Sequence, residues 1–142
     1  PEARIINTNR NRLDTCISCL FQNFGGKLLY TTNNAMLISM HKHYDSILEF
    51  WRSHSNIPIL DVYYEKLVTA ADPEVRKLLD YVGLTWHDAC LSPHASQHVA
   101  KTASFEQVRQ PMYSSSINRW QHYAPWIQEL LQAFPSDARE QD

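Results

Sequence analysis

Two strand-like runs with helical patterns between them constrain this chain more than any other feature of its sequence. Ala3-Arg4-Ile5-Ile6-Asn7-Thr8 reads as a short strand, and Ile57 to Tyr64 as a second, buried one. Pro58 stands near the start of that second run, where a missing ladder N–H is tolerated. The stretch between them is too long for a hairpin and carries helical periodicity. The strands are therefore expected to run parallel, joined by a right-handed helical crossover.

The helices follow from spacing. After a polar turn at Asn9 to Arg12, with Asn11 as N-cap, the residues Leu13, Cys16, Ile17, Leu20, Phe21 and Phe24 fall on one helical face. Gly25-Gly26 ends that helix. Leu28 to Thr32 is ambiguous. A second helix from about Asn33 to Ser53 has the apolar face Met36, Leu37, Met40, Tyr44, Ile47, Leu48 and Trp51, and Asn56 breaks it. Pro73 opens a third, with Val75, Leu78, Leu79 and Val82 inward and Gly83 as its stop. Leu84 to Ala100 reads as loop, Ser104 to Gln110 as a short helix stopped by Pro111, and Ser114 to Ser116 as a turn. A last amphipathic helix runs from about Pro125 to Phe134, and residues 136–142 are expected to fray.

This is an α/β pattern, a short parallel sheet flanked by mostly α-helices. Two strands are too few for a stable parallel sheet, so strands from another segment or a second copy of the chain are expected to complete it. The chain opens on Pro1, without an initiator Met, and enters an apolar run within three residues, as a fragment would.

Composition narrows the function classes. The 142 residues suit one domain. Thirteen basic against fifteen acidic residues exert no pull on nucleic acid or an anionic membrane. No apolar window is long enough to span a membrane, and Pro1-Glu2-Ala3-Arg4 with the short strand-like run after it does not read as a secretory signal. Three glycines cannot write a glycine-rich phosphate loop. Three cysteines and no Asn-x-Ser/Thr site suit a reducing, cytoplasmic setting.

The chemistry-bearing residues are few. Arg10 follows the first strand and Ser18 sits two turns into the next helix. At the carboxyl end of a parallel strand, an arginine and a helix's first-turn amides make an anion site. The bland reading is a surface arginine and a serine bonded back to its own helix. Cys16-x-x-Cys19 with Cys90 does not read as zinc, because Cys16 belongs to the core stripe, Cys19 to another face, and no second pair follows. His41-Lys42-His43 is read as the solvated end of a helix, and Trp120, Tyr123, Trp126 and Leu130 as a packing stripe.

Three ordered segments carry a resemblance. Arg10-Asn11-Arg12-Leu13-Asp14-Thr15-Cys16-Ile17-Ser18-Cys19-Leu20-Phe21-Gln22-Asn23-Phe24 resembles a stretch of the sulfotransferases that use 3'-phosphoadenosine 5'-phosphosulfate (PAPS), in the bacterial branch often linked to tetratricopeptide repeats. Val62-Tyr63-Tyr64-Glu65-Lys66-Leu67-Val68 is similar to that family's Arg-Tyr-Glu-Asp-Leu-Val run. Thr102 to Trp120, with Gln107-Val108-Arg109-Gln110-Pro111 and Arg119-Trp120, resembles its third signature, which tyrosylprotein sulfotransferases share in part. Asn11, Arg12 and Leu13 depart from the usual Asp-Pro-Arg. The resemblance implies a three-layer fold like that of the P-loop NTPases. It also implies that Arg10 and Ser18 grip the 3'-phosphate of the nucleotide, that Tyr64 contacts it and that Ser104 lies near the adenosine. Tyr113, Ser115 and Arg119 would close over the phosphate.

The family's loop for the 5'-phosphosulfate, its leaving-group lysine and its general base lie upstream of this segment and are not found here; no residue is read as catalytic. Residues 1–135 are thus expected to be the carboxyl-terminal part of a sulfotransferase domain. Such a domain moves a sulfuryl group from PAPS to a hydroxyl or amine and leaves 3',5'-adenosine bisphosphate. The alternative is a non-catalytic nucleotide-binding or protein-interaction domain. A kinase relative would not carry the Gln-Val-Arg-Gln-Pro to Arg-Trp signature.

Overall fold

The computed structural model describes residues 3–26, 28–95 and 112–139. The expected helix from Ser104 to Gln110, and Ser104 itself, lie outside the described residues. The described residues divide into two compact units. One holds Pro1–Asn9 and Ile59–Ser114, the other Arg10–Pro58 and Ser115–Asp142.

The first unit is built on the sheet. Strands β1 (Ile5–Asn9) and β2 (Ile59–Tyr63) pair in parallel, as the long helical connection requires, with Ile5 opposite Ile59 and Asn9 opposite Tyr63. On one face, Asn7 and Asn9 each donate a carboxamide N–H to Asp61 Oδ1, at 2.7 and 3.0 Å. Buried Asn7 is thus satisfied within the sheet. Tyr64 starts helix α3 (Tyr64–Thr69) instead of closing the strand, and α4 (Ala71–Val82) follows. Pro73 lies inside the first turn of α4, where its missing N–H costs nothing. Gly83 ends α4 at φ +76°, a left-handed conformation that glycine adopts without strain, and the Leu84 N–H then reaches back to the Leu79 carbonyl. The Tyr81 hydroxyl donates to the Ile5 carbonyl at 3.1 Å and so ties α4 to β1.

The second unit is helical. Its core is Leu13, Cys16 and Ile17 from α1 (Arg12–Phe21), Leu37 from α2 (Asn34–His54), and Trp120, Ile127, Leu130 and Phe134. Helix α1 stops at Phe21, short of the expected Phe24. Gln22 is extended, and the Asn23 side chain accepts the Gly25 N–H at 2.8 Å, a local turn that competes with further helix. The ambiguous segment holds a 3₁₀ turn, Leu29–Thr32.

Helix α2 forms where expected, capped by the Asn33 side chain, but its expected inner face is mostly outside. Leu37 is buried, whereas Met36, Met40, Tyr44, Ile47 and Trp51 are about half exposed, 45–55%. The helix packs through a neighbouring arc, with Ile38 on the core and the His41 ring edge-on to Phe134. A broad apolar arc does not specify on which side the neighbours lie. The expected helix from Pro125 to Phe134 is split into a 3₁₀ segment, Arg119–Trp126, and α5, Gln128–Ala133. Of the packing stripe, Trp120 and Leu130 are buried and Trp126 is exposed.

Candidate functional site

Arg10 and Arg119 stand far apart in sequence and are brought to one helix. The Arg10 guanidinium donates through Nη2 to the Ser116 carbonyl at 3.0 Å. Ser115 and Ser116 begin the turn that leads into the Arg119–Trp126 segment. Asp14 on α1 accepts the backbone N–H of Asn118 at 2.7 Å and of Trp120 at 2.8 Å. The Arg119 guanidinium lies 5.8 Å from the ring centre of Phe21, the last residue of α1. Ser18 lies between these anchor points on α1 and is exposed. Its neighbour Cys19 has a thiol pKa raised by burial, with the positive charge of Arg10 pulling it the other way. The charge of Arg10 is therefore felt at the turn that carries Ser18.

Two first-turn amides of α1, expected to help hold an anion, are taken by the protein itself. The Arg12 N–H donates to Asp137 Oδ1 at 2.7 Å, and the Asp14 N–H to the Asn11 side chain at 3.1 Å. Asp137 is the residue that sequence reading missed. It lies where fraying was expected, and its carboxylate and carbonyl meet Arg12 and Asn11. No spacing or motif marks it beforehand. Arg12 is structural as well, paired with Asp45 at 3.1 Å and placed 5.5 Å from the centre of the Phe134 ring. Of the residues expected to hold an anion, Arg10, Ser18, Ser115 and Arg119 belong to this unit.

Tyr64 and Tyr113 belong to the other unit. The Tyr64 hydroxyl reaches the Tyr113 carbonyl at 3.5 Å, the long limit of a hydrogen bond, and both residues are half-buried. Burial pushes the Cys16 thiol up to about 12, so it stays protonated near neutral pH. Among the described residues no group of three His, Cys, Asp or Glu could hold a metal ion. Among them, too, no helix is long and apolar enough to cross a membrane.

The sequence model of the sulfotransferase family matches residues 1–88, more than half of the chain. The chain belongs to that family. The match takes in Arg10, Ser18 and Tyr64, and stops before the stretch that holds Tyr113, Ser115 and Arg119. An uncharacterized protein of Aquifex aeolicus (strain VF5) is 28% identical over 135 residues. That similarity covers 93% of this chain and 18% of the Aquifex protein, so the sulfotransferase segment spans less than a fifth of its relative's length.

His41 gives the helical unit a pH dependence with a definite sign. Burial lowers its pKa below 6.5, Arg12 lowers it further, and Asp45 and Asp137 oppose them. The unfolded chain therefore binds a proton at a pH where folded His41 does not, and stability falls as pH drops through about 6.5 toward the folded pKa. Melting from pH 8 to 5.5 should show a steeper loss for the wild type than for His41→Gln; parallel curves would remove His41 as a cause.

Proposed function

We propose that this chain is the carboxyl-terminal portion of a sulfotransferase domain with a three-layer, P-loop-NTPase-like architecture. Its helical unit would bind the 3'-phosphoadenosine end of PAPS in a cytoplasmic setting. The observation that carries this reading is the Arg10 to Ser116 hydrogen bond, which sets the first basic residue against the turn that leads to the second. A guanidinium carries five N–H donors, and one of those of Arg10 is set on this carbonyl. Two arginines and exposed serine hydroxyls are the donor set that a phosphate monoester requires. The nucleotide roles of Tyr64, Tyr113 and Ser104 rest on the resemblance.

PAPS, when bound, supplies the activated sulfuryl group. The bond between its sulfur and the 5'-phosphate oxygen breaks, and sulfur bonds to the acceptor oxygen or nitrogen. The acceptor's proton leaves to a base, and 3',5'-adenosine bisphosphate is released. The residues proposed here hold the end of the nucleotide away from that exchange. Charge stabilisation at the 5' end, and the base, come from outside this set.

The exposed apolar stripe of α2 favours a second reading, a non-catalytic interaction domain that keeps the fold for packing. Thermal unfolding with 3',5'-adenosine bisphosphate separates the two. At a hundredfold excess over its Kd the nucleotide should stabilise the fold by about 2.7 kcal/mol, a rise of several degrees in Tm. A folded chain with no shift at millimolar nucleotide would favour the interaction domain.

A further inference from the structure

Asp14 is buried, 2% exposed, in the first turn of α1. Its carboxylate does not reach the proposed anion site; it holds the backbone on either side of one of that site's residues. Oδ2 takes the N–H of Asn118 and Oδ1 the N–H of Trp120, so Arg119 is bracketed by two charge-assisted hydrogen bonds. Asn118 sits at φ +58°, a left-handed conformation that asparagine adopts more readily than other residues with a side chain, and it turns the chain toward Asp14. The two amides alternate along the chain, so both carboxylate oxygens are used and neither the position nor the direction of the backbone at Arg119 is left to vary.

We propose that Asp14 is the positioning residue of the 3'-phosphate site: it fixes Arg119 against the helix that carries Ser18, and acts through the backbone. The inference rests on the reading of the site given above. A carboxamide in its place offers one accepting oxygen where two are needed, so one of the two amides loses its acceptor. The guanidinium of Arg119 would remain, without a fixed origin.

Calorimetric titration of the whole chain with 3',5'-adenosine bisphosphate and with 5'-AMP, which lacks the 3'-phosphate, tests this. The wild type should prefer the bisphosphate. Asp14→Asn should reduce that preference by about tenfold, or about 1.4 kcal/mol, with 5'-AMP binding unchanged. Asp14→Asn combined with Arg119→Ala should be no worse than Arg119→Ala alone, because both remove the same contact. Equal losses for both nucleotides, or additive losses in the double variant, would reduce Asp14 to a fold residue and overturn the proposal. A wild type that does not distinguish the two nucleotides would instead overturn the functional reading beneath it.

Asp14→Glu, which keeps the charge and displaces the oxygens, serves as a second variant should Asp14→Asn not fold. Hydrogen exchange on the unaltered chain adds a check that needs no variant. The Asn118 and Trp120 amides should be protected to the same degree as those in the middle of α1, and exchange at the rate of an open loop would sink the idea.

Discussion

Leu13→Ala should cost about 3–5 kcal/mol and leave much of the chain unfolded at 37 °C, because a domain of this kind has only about 5–15 kcal/mol of stability to lose. Leu13 is fully buried, at 0% exposure, and is packed with Ile17, Leu37 and Leu130 in the core of the helical unit. Truncating it removes the transfer free energy of the side chain and leaves a cavity that helices held on several sides cannot close. Leu84→Ala is the matched control. That residue is 63% exposed, and its loss should change stability by less than about 0.5 kcal/mol. Urea unfolding of the two variants, at a common slope, reads the difference directly. A Leu13→Ala midpoint within error of the control would show that α1 does not pack as described.

Arg10→Ala should separate binding from stability. The lost bond to the Ser116 carbonyl is worth about 1 kcal/mol, so Tm should move by a few degrees only. Affinity for 3',5'-adenosine bisphosphate should fall by about a hundredfold, the 2.7 kcal/mol of a lost charge-assisted phosphate contact. Arg10→Lys should fall between the two, since lysine restores the charge without the planar fork. If both variants bind as the wild type does, Arg10 serves only to anchor the turn at Ser116 and the 3'-phosphate is held elsewhere.

Much of this arrangement could be read from residue types and spacing, and the failures have physical causes. The parallel pairing of β1 and β2 followed from the length and helical periodicity of the connection, and α1 from the spacing of Leu13, Cys16 and Ile17. The extent of α1 was misjudged because Asn23 bonds locally, an option that periodicity cannot register. The inner face of α2 was misplaced because Leu37 and Tyr44 belong to one wide apolar arc, and only the neighbours decide which edge is covered. Arg10 and Ser18 were singled out by residue type and spacing, and Arg119 by the resemblance. The carboxylate contacts nearby were not legible: Asp14 accepts the amides on either side of Arg119 and Asp137 that of Arg12, and every residue but proline presents such an amide, so no sequence pattern marks the partner.

The order of strands has a consequence for how such a chain can change over time. β1 and β2 are neighbours in the sheet, and everything from Arg10 to Pro58 is an excursion between them. Closing a loop of that size already carries most of its entropic cost, and doubling it would add only about 0.6 kcal/mol. Residues can therefore be gained or lost at the exposed turn of Gly25 and Gly26 at little thermodynamic penalty, but not within the helices that carry Leu13, Ile17 and Leu37. A single residue inserted within β1 would instead turn Asn7 away from Asp61 and reverse every side chain beyond it. Drift in length is cheap at the glycine turn and costly inside the strands and the core helices.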